Sequence, residues 1–426
     1  MIGFAGLSHL GIVSSAAAAE KGFGVAGFDA DAGVCRAVAA ADPPIVEPGL
    51  CELLRDVKTR TTYSSDASVL AACAVIYISF DVPTDAGNRS DTGPVEGLLR
   101  EAARVASPGT TLVVLSQVRP GFCGALRTEI ESFGDKRLHL YYQVETLVFG
   151  SAVQRALQPE RFIVGCADPS RPLTRALGDF LQAFGCPILP MRYESAELAK
   201  IAINHFLAAS VAMTNTLAEL CEAIGANWAE IEPALRLDRR IGPHAYLTPG
   251  LGIAGGNIER DLATVTTLAE QHGTDVGIVR AIVANSRHRR DWALRQVQQA
   301  TAMRTDRQTV AVWGLAYKPG TASLKNSPSL ALLDALTGAD IRAYDPAAQL
   351  NGFQPHVTVV GSAIEACRDA DVLVVMTPWD EFARIDVGQI RNAMRGRVVV
   401  DPFGALNAEQ YVAQGFAYSR LGRPNE

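Results

Sequence analysis

From Tyr193 to Ala226 the chain runs for more than thirty residues without a proline, with apolar positions such as Ala199, Ile203, Phe206, Leu207 and Val211 in a helical pattern. So long an apolar helix buries itself against other helices or a second subunit. It also divides the chain, because the sequence on either side has a different period.

Before it, β-rich runs at Ile2–Ala5, Val25–Asp29, Val75–Phe80, Thr111–Ser116, His139–Val144 and Phe162–Cys166 alternate with helical stretches such as Leu10–Lys21 and Val95–Val105. After it come helical patterns at Trp228–Leu235, Glu259–Gln271 and Val276–Gln299, then a polar stretch at 301–308 that reads as a linker. The alternation resumes with Val310–Trp313, Ile341–Tyr344, Val357–Val360, Val372–Met376 and Val398–Asp401. Strands that alternate with helices predict parallel, doubly wound sheets. The expected class is therefore α/β, with two Rossmann-like doubly wound parallel-sheet domains joined by a helical central region containing one long helix. A chain of 426 residues exceeds what one core supports. The predicted domains are residues 1–191, 192–300 and 309–426.

A net charge of −6, mixed in sign along the chain, offers no basic stripe for a phosphate backbone, so no nucleic-acid partner is expected. Met1 runs directly into an apolar strand, without the basic leader of a signal peptide. Apolar runs are broken by glycine or charge before the roughly 20 residues needed to span a bilayer. A soluble protein with no membrane partner is expected. The eight cysteines are scattered, with no C-x-x-C and no ligand-like spacing, which suits reduced thiols in the cytoplasm and small core residues rather than a metal site.

Strand Ile2–Ala5 leads into Gly6-Leu-Ser-His-Leu-Gly11 and then a helix, the context of a dinucleotide fingerprint. Ser8 stands where the middle glycine usually lets the backbone approach a pyrophosphate. Asp29 ends the second strand, placed to accept hydrogen bonds from an adenosine ribose and to repel a 2′-phosphate. NAD is therefore expected over NADP.

With that fingerprint, a series of motifs resembles the UDP-glucose/GDP-mannose dehydrogenase family from end to end. They are Pro44-Ile-Val-Glu-Pro-Gly-Leu50, Ser116-Gln-Val-Arg-Pro-Gly121, Glu145 with Gly150-Ser-Ala152, Pro159-Glu-Arg161 and Glu197-x-x-Lys200-x-x-x-Asn204. The series continues through Arg240-Ile-Gly242, Gly250-Leu-Gly-Ile-Ala-Gly-Gly-Asn-Ile-Glu-Arg-Asp261, Gly314-Leu-Ala-Tyr-Lys-Pro319 with Ser327-Pro328, Tyr344-Asp-Pro346 and Thr377-Pro378. The resemblance implies an NAD-binding first domain, a dimerising helical middle and a C-terminal domain that binds the nucleotide sugar. Gly6, Ser8, Leu10, Gly11, Asp29 and Lys325 would then hold the cofactor. Arg240, Tyr246, Gly250, Gly252, Gly255, Gly256 and Lys318 would hold the substrate, Arg240 by reaching a diphosphate across a subunit boundary. Glu197, Lys200 and Asn204 share one helical face. By resemblance Lys200 and Asn204 hold the oxygen that becomes partly anionic during hydride transfer, and Glu145 and Asp261 orient a water or accept the proton. A homodimer through the long helix follows from the same resemblance.

The departures cluster at chemistry. Asn257 stands where the family carries its catalytic cysteine, whose thiolate captures the aldehyde made by a first hydride transfer so that a second can follow. An amide is no nucleophile, because its nitrogen lone pair is delocalised. As a helix N-cap an asparagine is well suited to this place. Arg260 replaces a lysine, Phe149 a second glutamate, Gln117 a threonine, Ala322-Ser323 an Asp-Asp pair and Lys325 an arginine; Phe403 in Asp401-Pro-Phe-Gly404 replaces an arginine. The expected activity is NAD-dependent oxidation of a nucleotide sugar, a UDP-hexose, without the thiohemiacetal step. Two alternatives stay open, a redox-neutral epimerase with retained NAD and a catalytically silent nucleotide-sugar binder.

Overall fold

The computed structural model describes residues 1–85, 87–303, 306–350, 352 and 355–424. Chain contacts divide it into two compact units, Met1–Ile203 and Asn204–Glu426, and the boundary falls inside the long helix Tyr193–Ile224.

The first unit is built on an eight-stranded sheet, in sequence β1 Ile2–Ala5, β2 Val25–Phe28, β3 Thr61–Ser64, β4 Val75–Ile78, β5 Thr111–Val114, β6 His139–Gln143, β7 Phe162–Cys166 and β8 Ile188–Arg192. Its spatial order is β3-β2-β1-β4-β5-β6-β7-β8. The central strands β1, β2 and β4 are apolar and buried at every position because both faces are covered. Phe4, Val75 and Tyr77 pack under the helices His9–Glu20 and Arg175–Gln182. Ile76, Ile78 and Leu112 pack under Gly93–Val105 and Phe122–Glu131.

One pair breaks the expected parallel order. β6 and β7 are antiparallel, with Tyr142 opposite Gly165. An antiparallel neighbour needs no crossover, so the segment from Val144 to Arg161 stays at the end of the sheet where β6 finishes. That end carries the carboxyl termini of β1, β4 and β5.

The second unit carries β9 Thr309–Trp313, β10 Asp340–Tyr344, β11 Val357–Val359, β12 Val372–Val375, β13 Val398–Val400 and β14 Ala417–Ser419. Its six-stranded sheet has the order β11-β10-β9-β12-β13-β14 and is parallel throughout. The two sheets repeat one construction. Gly6 N donates to Phe28 O at 2.8 Å and Leu7 N to Asp29 Oδ2 at 2.8 Å. In the second sheet Gly314 N donates to Tyr344 O at 2.8 Å and Leu315 N to Asp345 Oδ2 at 2.6 Å.

Three strands lie outside the runs expected from the sequence. Thr61–Ser64, Ile188–Arg192 and Ala417–Ser419 lie at sheet edges, where one side needs no cover, and Pro190 is tolerated there. The expected helix Val276–Gln299 is two helices, Gly277–Arg290 and Trp292–Thr301, broken at Asp291. The break lets Trp292 be buried, with its indole N–H on Glu222 Oε2 at 2.9 Å. Of the polar stretch 301–308, Arg304 and Thr305 lie outside the described residues. Gln308 is already buried, and Arg307 pairs with Asp340.

The long helix is long and apolar enough to cross a membrane by length and composition, against the expectation that no run suffices; a third of its most apolar window is buried within the protein. Polar residues on it, Glu197, Asn204 and Asn215, are buried against protein partners.

Candidate active site

The fingerprint loop is tight for a reason that its two glycines explain. A Cβ on Gly11 would sit 1.9 Å from Gly6 O, so only glycine lets the His9–Glu20 helix start so close to β1. Ser8, the departure in the middle, turns its hydroxyl away from the approach. It donates to Ser79 O at 3.0 Å and accepts from Asp81 N at 3.0 Å, tying the loop to the end of β4. Asp29 accepts Leu7 N and Asp31 N, one on each carboxylate oxygen. Each oxygen retains a lone pair for a ribose hydroxyl. The loop, helix N-terminus and acidic residue fit a dinucleotide, and Leu7 and Leu10 point their side chains into the core.

In the same unit Lys200 Nζ lies 3.8 Å from Glu145 Oε2, with both side chains largely buried. Glu145 also accepts the Leu147 amide, which folds the start of the 144–161 segment back on itself. Glu197, expected on the same helical face, has a different task. Fully buried, it accepts Gly121 N at 2.6 Å and Cys123 N at 2.8 Å, so it ties the long helix to the start of Phe122–Glu131. Burial pushes its carboxyl up despite these two amides.

In the second unit Asn204 Nδ2 donates to Asp261 Oδ2 at 2.6 Å, and Asp261 is 1% exposed. Arg260 is buried beside it, its Nε 3.6 Å from Asp261 Oδ1. Asp261 lies in the first turns of the helix Asn257–His272, which seats Leu262 and Ile258 on Ala208 of the long helix. Asn257 is not the N-cap. It is the first helical residue, exposed, and Gly256 caps the helix without a side-chain bond. The glycines allow the chain to enter at that angle, so no capping hydroxyl or amide is required.

The loop before Asn257 is pinned from three sides. Gly250 N donates to Asn215 Oδ1 at 2.9 Å, Ile253 N to Ser286 Oγ at 2.8 Å, and Asn326 Nδ2 to Gly255 O at 2.7 Å. A Cβ on Gly252 would meet Ser286 O at 2.3 Å, and its φ of +76° already favours glycine. Lys325 runs alongside Gly256, and Asn326 also bonds Glu259. Burial raises Glu259 to about 7 against the pull of Asn326, Lys325 and Arg290. Nothing in the composition flagged Glu259; its signal was position, two residues after Asn257. Lys318 stands over the Tyr317 ring at 5.7 Å. Arg240 is exposed and held by Asp238 at 2.7 and 3.0 Å. Tyr246 is half exposed, and its carbonyl accepts from Thr214. Phe403 packs partly buried on the core of the second sheet.

Among the described residues, the apolar cluster that the Asn257 helix joins contains no cysteine. In the second unit Cys221 and Cys367 are buried in clusters other than the one that the Asn257 helix joins. Burial pushes both thiols up, Cys367 to about 12. In the first unit Cys35, Cys73, Cys123, Cys166 and Cys186 are pushed up by burial too.

Two doubly wound sheets, the first with a dinucleotide loop at its leading strand, define an α/β dinucleotide-binding protein. Comparison with known proteins makes that narrower. Residues 1–177 match the NAD binding domain of the UDP-glucose/GDP-mannose dehydrogenase family, 194–287 its central domain and 311–408 its UDP binding domain. The UDP-glucose 6-dehydrogenase of Pseudomonas aeruginosa is 30% identical over 98% of this chain and 96% of its own. A solved UDP-glucose dehydrogenase from Pyrobaculum islandicum overlays with a TM-score of 0.85 at 26% identity, covering 96% of this chain and 95% of that one. The UDP-D-ManNAc dehydrogenase of Pyrococcus horikoshii has the same fold, with a TM-score of 0.85, 21% identity and 99% coverage of both chains. The chain belongs to the UDP-glucose/GDP-mannose dehydrogenase family. It is an NAD-dependent nucleotide-sugar dehydrogenase that acts on a CH–OH group.

Proposed function

We propose that this enzyme oxidises a hydroxyl carbon of a UDP-hexose, as UDP-glucose 6-dehydrogenases do, but completes its chemistry without a thiohemiacetal. The observation that carries this reading is Asn257, exposed on the first residue of its helix beside an Asp261–Asn204 pair that remains intact. Lys200 and Asn204 donate to the oxygen that gains negative charge as hydride leaves, and Glu145 and Asp261 take its proton. NAD, held by Gly6, Ser8, Gly11 and Asp29, accepts the hydride. Lys325 is assigned to the cofactor as well. Gly250, Gly252, Gly255, Gly256, Lys318, Arg240 and Tyr246 are assigned to the nucleotide sugar.

The three parts at 1–191, 192–300 and 309–426 would bind cofactor, dimerise and bind nucleotide sugar, respectively. The long helix supports a homodimer, because Phe206, Met213, Leu220 and Ile224 leave one of its stripes exposed. A soluble, cytoplasmic enzyme is the matching setting.

The test incubates the pure protein with NAD and a panel of UDP- and GDP-sugars and counts NADH per sugar consumed. A ratio near one supports release of a carbonyl product. A ratio near two requires oxidation of a hydrated aldehyde, which N257A then leaves unchanged. Product without net NADH identifies an epimerase, and no binding of any nucleotide sugar overturns the proposal.

A further inference from the structure

Residues 246–250 of the second unit make no backbone-to-backbone hydrogen bond among the described residues, so side chains set their path. Thr214 Oγ1 on the long helix donates to Tyr246 O at 3.2 Å, and Asn215 Oδ1, one residue on, accepts Gly250 N at 2.9 Å. Between those two anchors the Trp228 indole N–H donates to Leu247 O at 2.7 Å. Thr214, Asn215 and Trp228 are all buried, and the Leu247 side chain is buried with Trp228, Ala218 and Cys221. A buried carbonyl that loses its donor is costly, so these three bonds hold the loop to one course.

Trp228 opens the helix Trp228–Leu237 and is itself held from outside that helix. Its backbone N–H donates at 2.8 Å to the carbonyl of Gly422, just past β14, while Gly422 N donates to Glu222 Oε1 at 2.9 Å. Glu222 also takes the Arg289 guanidinium at 2.8 Å and the Trp292 indole, so its carboxylate is fixed as well. Gly422 has a φ of +78°, and a Cβ there would come within 2.8 Å of Trp228 Cβ and 3.5 Å of both Ala218 Cβ and Pro249 Cγ. Glycine suits a place that is left-handed and wedged between the long helix, the Trp228 helix and the loop. Leu421, beside it, packs in the same apolar cluster as Leu251. The segment after β14 is therefore the floor on which Trp228 and the loop rest.

The loop so held carries the half-exposed Tyr246 and Gly250, both assigned above to the nucleotide sugar. We infer that Trp228, seated by Gly422, is a positioning residue for the nucleotide sugar: it sets substrate affinity by fixing the course of Tyr246–Gly250, without touching the reacting atoms. This rests on the substrate assignment of that loop and adds to it two residues that lie outside the sequence motifs. The effect falls on KM, since a loop with several courses has to be ordered by the substrate as it binds. Asn204 holds Asp261 independently of Trp228, so kcat is spared.

The experiment measures steady-state kinetics of the full-length protein with UDP-glucose, or with whichever sugar of the UDP- and GDP-sugar panel turns over fastest, together with the NADH dissociation constant. Trp228→Phe keeps an aromatic ring and deletes the donor to Leu247. Its KM should rise by about 3–10-fold, the scale of one buried hydrogen bond, with kcat and NADH affinity within about twofold of the wild type. Gly422→Ala, which strains the backbone and crowds Trp228, should raise KM in the same direction. Ile390→Val, buried in a different cluster of the same unit, should lower the melting temperature and leave KM unchanged. A KM rise for Ile390→Val equal to that of Trp228→Phe would trace the effect to general stability and overturn the inference. An unchanged KM in Trp228→Phe overturns it too, whether or not Gly422→Ala folds, and so does a fall in kcat at constant KM; either result leaves the oxidation itself standing. Neither NADH formation nor binding by the wild type with any sugar of the panel defeats both proposals.

Discussion

Asn204 donates its side-chain amide to Asp261 at 2.6 Å in the interior, one helical turn beyond the exposed Asn257. The polar pair that would serve hydride transfer is fixed by burial, while the position that would serve covalent capture faces outward with an inert side chain. Buried polar groups hold their geometry because an alternative without partners is costly. An exposed first-turn residue has no such constraint.

Asp261→Ala removes the acceptor of Asn204 and the neighbour of the Arg260 guanidinium. Stability should fall by about 1–3 kcal/mol, the cost of leaving buried donors without partners. Urea unfolding followed by circular dichroism measures it, and turnover should drop in parallel.

Asn257→Cys places a thiol on the first residue of a helix, where the dipole lowers its pKa. Because the site is exposed, the melting temperature should change little. Incubation with NAD and substrate should yield a mass adduct of the sugar on the protein, and intact-protein mass spectrometry reads it out. A turnover-competent variant with no adduct would mean that the reacting carbon lies out of reach of position 257.

Lys200→Ala deletes the cation beside Glu145. We expect kcat to fall by about 10²–10³, the scale for removing one donor to a developing oxyanion, with NADH affinity unchanged. Stopped-flow hydride transfer and fluorescence titration separate the two.

Glu259 gives a pH signature. Its folded pKa is raised by burial from 4.5 to about 7, so the folded state favours the protonated acid. Its contribution is complete below about 4.5 and is lost as pH rises to about 7. Across that window the Glu259 term should lower the unfolding free energy by about 1–2 kcal/mol, allowing for its partial exposure. Glu259→Gln should flatten this slope in urea midpoints measured from pH 5 to 8, and a slope identical to wild type would remove Glu259 as its source.

Much of the fold was legible because buried sheets write themselves as apolar runs. Val372–Val375 and Val75–Ile78 are buried at every position, and each was visible as an unbroken stretch. Edge strands such as Thr61–Ser64 were not, since half of each faces outward and its residues resemble those of a loop. The antiparallel β6–β7 pair was hidden for another reason: a strand's sequence records its burial, not its direction.

At the site, the sequence by itself determined which chemical groups are present. It placed Gly6, Gly11 and Asp29 around a strand-to-helix turn, put Lys200 and Asn204 on one helix, and left Asn257 without a nucleophilic atom. Those properties follow from residue type and local spacing. Only the tertiary structure decided which groups meet. Asp261 finds Asn204 57 positions away, Glu47 reaches Gly150 across 103, and His9 comes to lie under Phe149. Glu197, on the same helical face as Lys200 and Asn204 by spacing, is instead drawn to the amides of Gly121 and Cys123. The reason is physical. A helix period specifies a direction around an axis, whereas a buried side chain's partner is whatever the rest of the chain brings within about 3 Å of it.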